Sequence, residues 1–153
     1  MIAKTRGPLL AAAAAAALLT GCAGVPRAAS EKDLAAKQFP VPSPGHAAVY
    51  VYRNEYVGSA MRMSLLLNGQ AVGDTTGHTF VWFWVGAGKH QIVSKAENDF
   101  VLDLDAKPGA TYFIWQEARM GLFSARSQLH LVDEATGKAG VAECQLVENA
   151  PMR

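Results

Sequence analysis

Cysteine is scarce in this chain: only Cys22 and Cys144 occur among 153 residues. A disulfide-stapled scaffold is therefore excluded. Charge of either sign is also sparse, at 18% of residues with a formal balance of +1. No clustered basic face is present, so nucleic acid is not expected as a partner. The longest uncharged apolar run, Leu9–Leu19, falls short of the roughly 20 residues that a bilayer-spanning helix needs. The four histidines, His46, His78, His90 and His130, show no i, i+4 metal spacing, so neither metal nor cofactor is expected. Gly86-Ala87-Gly88-Lys89 has Phe83 and His90 where a phosphate loop needs glycine and a hydroxyl, and it reads as a hairpin turn. Ser124 lacks the flanking glycines of a nucleophile elbow, and no catalytic signature surrounds Cys144. Asp103 and Asp105 share a strand face, the arrangement of a solvated edge more readily than of an acid–base pair. These absences point away from an enzyme.

What is present begins at the N-terminus. Lys4 and Arg6 precede the Ala- and Leu-rich run, which closes on Leu19-Thr20-Gly21-Cys22. Basic start, short apolar middle and small residues before a cysteine form a bacterial lipoprotein signal. Cleavage between Gly21 and Cys22 is expected, with acyl chains attached to the Cys22 thiol. Two or more acyl chains hold a protein stably on a membrane, so the membrane is itself a partner. Residues 1–21 are then removed, leaving 12 basic and 13 acidic side chains in 132 residues, enough for one domain. A thioether at Cys22 leaves Cys144 without a partner in its own chain. Ala23, in the place where aspartate would favour the inner membrane, points to the periplasmic face of the outer membrane.

Residues 22–45 read as a flexible Pro/Ala-rich tether, spanning roughly 80 Å if fully extended. Ser30 with Asp33 would cap one short helix within it. From residue 46 to 149 the texture is that of a β-sandwich domain. Strands are predicted over His46–Arg53, Met61–Leu67, Gln70–Asp74, Thr79–Val85, Lys89–Glu97, Phe100–Asp105, Thr111–Arg119 and Ser124–Val132. Asn68-Gly69 is the strongest hairpin signal, because both turn positions tolerate positive φ. Asp133 is expected to cap a C-terminal helix that Gly137 and Gly140 weaken. The fold class is mainly β: an antiparallel sandwich of about eight strands with one C-terminal helix.

Ala48-Val49-Tyr50-Val51-Tyr52-Arg53-Asn54, Leu67-Asn68-Gly69, Gly88-Lys89-His90, Gly109-Ala110-Thr111-Tyr112-Phe113 and Leu131-Val132-Asp133-Glu134-Ala135-Thr136-Gly137 occur in that order. Over residues 40–147 this succession resembles the bacterial lipoprotein family described as domain of unknown function 2846 (DUF2846). The resemblance implies a tethered β-domain and supplies no catalytic residues. Ala87 stands where the family pattern has proline before Gly88.

Phe80-Val81-Trp82-Phe83-Trp84-Val85 and Tyr112-Phe113-Ile114-Trp115 place large apolar groups on both faces of their strands. A sandwich strand has one core face, so something must cover the other. The C-terminal helix or the Phe39–Pro44 segment would do so. Otherwise Trp82, Trp84, Tyr112 and Trp115 form an aromatic surface for an envelope protein or glycan. The expected role is a non-catalytic binding or scaffolding module on the envelope. The alternatives are an envelope enzyme, or an inhibitor of a wall-degrading enzyme presenting the Arg53–Ala60 loop.

Overall fold

The computed structural model describes residues 24–148. The expected signal segment, the cleavage expected between Gly21 and Cys22 and the lipid attachment expected at Cys22 lie outside the described residues. The elements, in chain order, are α1 (Ser30–Ala36), β1 (His46–Arg53), β2 (Met63–Leu67), β3 (Gln70–Thr75), β4 (Thr79–Gly86), β5 (Gly88–Lys95), β6 (Asp99–Ala106), β7 (Thr111–Met120), β8 (Ala125–Val132), α2 (Glu134–Ala142) and β9 (Gln145–Leu146). The protein is mainly β, as its alternating apolar runs imply.

Two sheets form, in the orders β8-β7-β1-β4-β9 and β3-β2-β5-β6. Most pairings are antiparallel, but β1 runs parallel to β7, and β4 parallel to β9. Between the sheets lies a core that includes Val49, Val51, Val81, Phe83 and Ile114 facing Leu65, Val72, Ile92 and Leu104. Asn68-Gly69 turns β2 into β3 with positive φ at both residues, as the sequence implies. Gly86-Ala87-Gly88 is different. Because β4 and β5 belong to different sheets, this segment is a corner between layers and not a hairpin. The Ala87 N–H donates to the Gly45 carbonyl at 2.9 Å, a bond that proline has no hydrogen to make.

A second core lies on the outer face of the five-stranded sheet. Ala48, Tyr50, Tyr52, Phe80 and Phe113 project from the sheet and are covered by Ala36, Phe39, Val141, Cys144 and Leu146. Strand β1 is thereby buried on both faces, which explains its nearly unbroken apolar sequence. The helix α2 carries the expected cap, since the Asp133 carboxylate accepts from the Thr136 N–H at 2.9 Å.

The segment expected as a tether behaves otherwise over its described part. Val25 belongs to the inter-sheet core, and Ala36 and Phe39 to the outer one. Antiparallel pairing joins Arg27 to Val147, with Ala28 N–H donating to the Leu146 carbonyl at 2.9 Å. The prolines remove helix and strand propensity, yet the apolar residues between them still have a face to bury on. Residues 24–45 are therefore a clasp on the domain and not a free spacer. In α1, Ser30 is the first helical residue and no side chain caps it; Asp33 instead accepts from the Leu146 N–H at 2.7 Å.

Candidate functional site

Alternation along β4 sends Val81, Phe83 and Val85 into the inter-sheet core and Phe80, Trp82 and Trp84 outward. On β7 the same alternation turns Phe113 and Trp115 outward, while Tyr112 packs against the inter-sheet core. The four aromatic residues expected on one surface are thus divided. Trp82, Trp84 and Trp115 share a face, and Tyr112 lies on the opposite one, its hydroxyl accepting from the Lys107 N–H at 3.0 Å.

The shared face is largely covered. Tyr50 is wholly buried, with its ring near those of Phe39, Trp82 and Phe113. Its hydroxyl donates to the Ala36 carbonyl at 2.9 Å, and burial pushes its pKa up to about 12. Trp115 stacks on His130 at 5.0 Å, and His130 Nε2 lies 2.8 Å from the Glu117 carboxylate. Trp82 and Trp84 meet edge to face at 6.2 Å. Beside Trp82 an apolar groove of about 540 Å³ opens between α1 and β9, lined by Lys32, Ala36, Pro40, Leu146 and Glu148. Of the aromatic face expected from the sequence, Trp82 lines this groove, while Trp84 and Trp115 are half-buried outside it.

Cys144 is buried, its thiol donating to the Arg53 carbonyl at 3.5 Å, and burial pushes its pKa up to about 12. That environment keeps the thiol protonated and inert. Asp103 and Asp105 face solvent, with Asp105 paired to Lys107 at 2.6 Å. His90 bridges the Asn68 side chain and the Gly86 carbonyl, at 2.9 and 2.8 Å. Among the described residues no three His, Cys, Asp or Glu side chains are placed to share a metal ion, and no helix is long and apolar enough to cross a membrane.

Sequence reasoning singled out the Arg53–Ala60 loop but missed the neighbouring turn from β7 into β8. Met120, Leu122 and Phe123 there are 92%, 81% and 90% exposed, and Tyr56 and Val57 in the adjoining loop are nearly as bare. The backbone beneath them is fixed. Glu97 accepts from the N–H groups of Leu122, Phe123 and Ser124 at 2.9, 2.7 and 2.7 Å, which holds its carboxyl below the usual range. Arg53, fully buried, donates to the Met61 carbonyl at 2.6 Å and to the Gly58 carbonyl. Burial pushes the Glu55 carboxyl up, while the Ala118 N–H donates to it at 2.7 Å. Below the tip, Thr75, Gln116, Ser94 and Ser127 form a buried hydrogen-bonded chain linking the two sheets. For the β7–β8 turn the sequence trace is the cluster of large apolar residues around Gly121, at a turn where polar residues are usual.

Fold and surfaces together define a helix-backed, two-sheet β-domain that presents an apolar groove at one sheet edge and an apolar tip. The chain belongs to the family described as "Protein of unknown function (DUF2846)", whose model matches residues 43–128. It is also 31% identical over 132 residues to an "Uncharacterized protein" of Haemophilus influenzae, a match covering 86% of this chain and 79% of that protein. No solved structure matches. The family match runs from just before β1 into β8 and leaves out both covering helices, a narrower span than the sequence motifs imply.

Proposed function

We propose that this protein is a bacterial envelope lipoprotein, held on a membrane through lipid on Cys22, whose β-domain is a binding or scaffolding module and not an enzyme. The observation that carries the reading is Leu19-Thr20-Gly21-Cys22 at the end of a short apolar run that follows two basic residues. The position of the folded domain supports it. Val25, three residues after the proposed attachment site, already packs in the inter-sheet core, so processing at Cys22 would remove none of the described core residues. Ala23 favours the periplasmic face of the outer membrane. On the domain, the groove beside Trp82 is the binding surface this reading selects, with an envelope protein or glycan as occupant.

The test is metabolic labelling with a clickable fatty acid. Wild type is expected to incorporate label and Cys22→Ala to incorporate none. Equal labelling of the two would overturn the anchoring. In the same cells, crosslinked partners are compared between wild type and Trp82→Ala; identical sets would mean that Trp82 serves packing alone.

A further inference from the structure

We propose that residues 24–40 and β9 form a single lid over the outer aromatic face, which opens in one step while both sheets and α2 stay folded, and so controls entry to the groove beside Trp82. The proposal rests on that groove being the binding surface and adds what regulates it. The walls of the groove carry the argument. Trp82 comes from β4. Among the described residues, every other lining side chain belongs either to the clasp, as Lys32, Ala36 and Pro40 do, or to Leu146–Glu148. The width of the site is therefore set by where those two segments lie.

The lid is held lightly. Among the described residues 24–40 only Val25 and Ala36 are buried, and Leu34 of α1 is 62% exposed. A seven-residue helix without a side-chain cap has little stability of its own. Its neighbours in the lid support it. The Ala28 N–H donates to the Leu146 carbonyl and the Glu148 N–H to the Pro26 carbonyl, both at 2.9 Å, while Asp33 accepts from the Leu146 N–H. Among the described residues β9 pairs with β4 only at Thr79 and Phe80. Neither segment keeps its place once the other leaves, so the two open together. Bonds that cross to the body must break: Tyr50 to the Ala36 carbonyl at 2.9 Å, Arg62 to the Gly24 carbonyl at 3.5 Å and Arg27 to the His78 carbonyl at 3.2 Å.

The backbone marks the hinge. Phe39 has a φ of 49°, a left-handed conformation that is costly for a residue other than glycine. Its ring meets those of Tyr50 and Phe113 edge-on, at 5.3 and 5.6 Å, and that packing holds the strained backbone in place. Two residues on, Val41 is 84% exposed. From Pro42 the chain is fixed again, since Pro42 is buried and the His46 N–H donates to the Ser43 carbonyl at 3.0 Å. The lid therefore turns about Pro40 and Val41. Helix α2 stays with the body. Its Gly137 and Gly140 lie directly against the Phe113 and Tyr52 rings, and it touches the lid through the Lys138 ammonium, 5.2 Å from the centre of the Phe39 ring.

The test is native-state amide exchange on the chain from residue 22 carrying Cys22→Ser, which bears no lipid. The Ala28, Val147 and Glu148 amides are expected to share one protection factor, at least about tenfold below those of Val49 and Val51 in β1. Asp33→Ala should lower the lid amides together by at least about fivefold. Gly140→Ala, which disturbs the seat of α2, should lower the β1 amides and leave the lid amides within about twofold, because α2 is folded whether the lid is open or shut. Equal protection of lid and β1 amides, or lid amides that fall with Gly140→Ala, would overturn the inference. In crosslinked cells Asp33→Ala should change the yield of the partners lost in Trp82→Ala by at least about twofold; an unchanged yield would overturn the control of entry. A lid that opens as expected, over a groove from which Trp82→Ala loses no partner, removes the binding surface and leaves the opening. Trp82-dependent partners on a domain whose lid opens only with the whole fold do the reverse.

Discussion

Gly137 and Gly140 look like defects when α2 is read as an isolated helix, because glycine costs about 1 kcal/mol in a helix interior. Packing reverses that reading. A Cβ at Gly137 would lie 2.2 Å from the Phe113 ring, and one at Gly140 would lie 2.1 Å from the Tyr52 ring. The two glycines let the helix backbone rest directly on the aromatic face of the sheet. Gly140→Ala is therefore expected to destabilise the protein by about 1–3 kcal/mol despite its better helix propensity, an overpacking cost read from urea unfolding. A stabilised Gly140→Ala protein would show that the helix does not rest on Tyr52. Asn68 and Gly69 are the opposite case, since their role depends on local backbone geometry alone and sequence spacing reveals it.

At the scale of elements, the least legible piece is β9, two residues long and paired in parallel with the start of β4. No pattern announces so short a strand. It is held from three sides: by Phe80, whose carbonyl accepts from the Val147 N–H at 3.0 Å, by the Arg27–Ala28 segment, and by Asp33 of α1. Asp33 thus couples the N-terminal clasp to the C-terminal end of the chain. Asp33→Ala leaves the Leu146 N–H without its acceptor and frees Lys37, at a cost of about 1–3 kcal/mol. Amide exchange at Leu146 and Ala28 is expected to accelerate together. Exchange confined to one of them would show that the clasp and β9 open independently.

Taken whole, the molecule is a sandwich with a partial third layer. The domain boundary that composition places at residue 46 cuts through the outer core, because Ala36 and Phe39 lie before it. A chain beginning at His46 would expose Tyr50, Phe80 and Phe113, three of the largest buried side chains. Losing that cover is expected to lower stability by more than about 3 kcal/mol, and to produce binding of a hydrophobic dye such as ANS. Wild-type stability with no dye binding would mean that residues 24–45 are dispensable to the fold.

Eight strands, the Asp133 cap and the Asn68-Gly69 turn were all legible in the sequence, because period-two alternation, N-capping and positive φ are local properties. So was the need to cover the outer face of β4 and β7, since Trp82 and Trp84 alternate with Phe83 and Val85. What covers that face, and which aromatic residues share it, depended on contacts between residues far apart in the chain. So did the buried chain from Thr75 to Ser127 and the fixing of Leu122 and Phe123 by Glu97, 25 and 26 residues away in sequence. Local chemistry determined the strands and the Asn68-Gly69 turn, but not the Gly86–Gly88 corner between the sheets. Only the tertiary structure decided the clasp, the third layer and the apolar tip, because each arises where segments with no shared periodicity compete to bury the same surface.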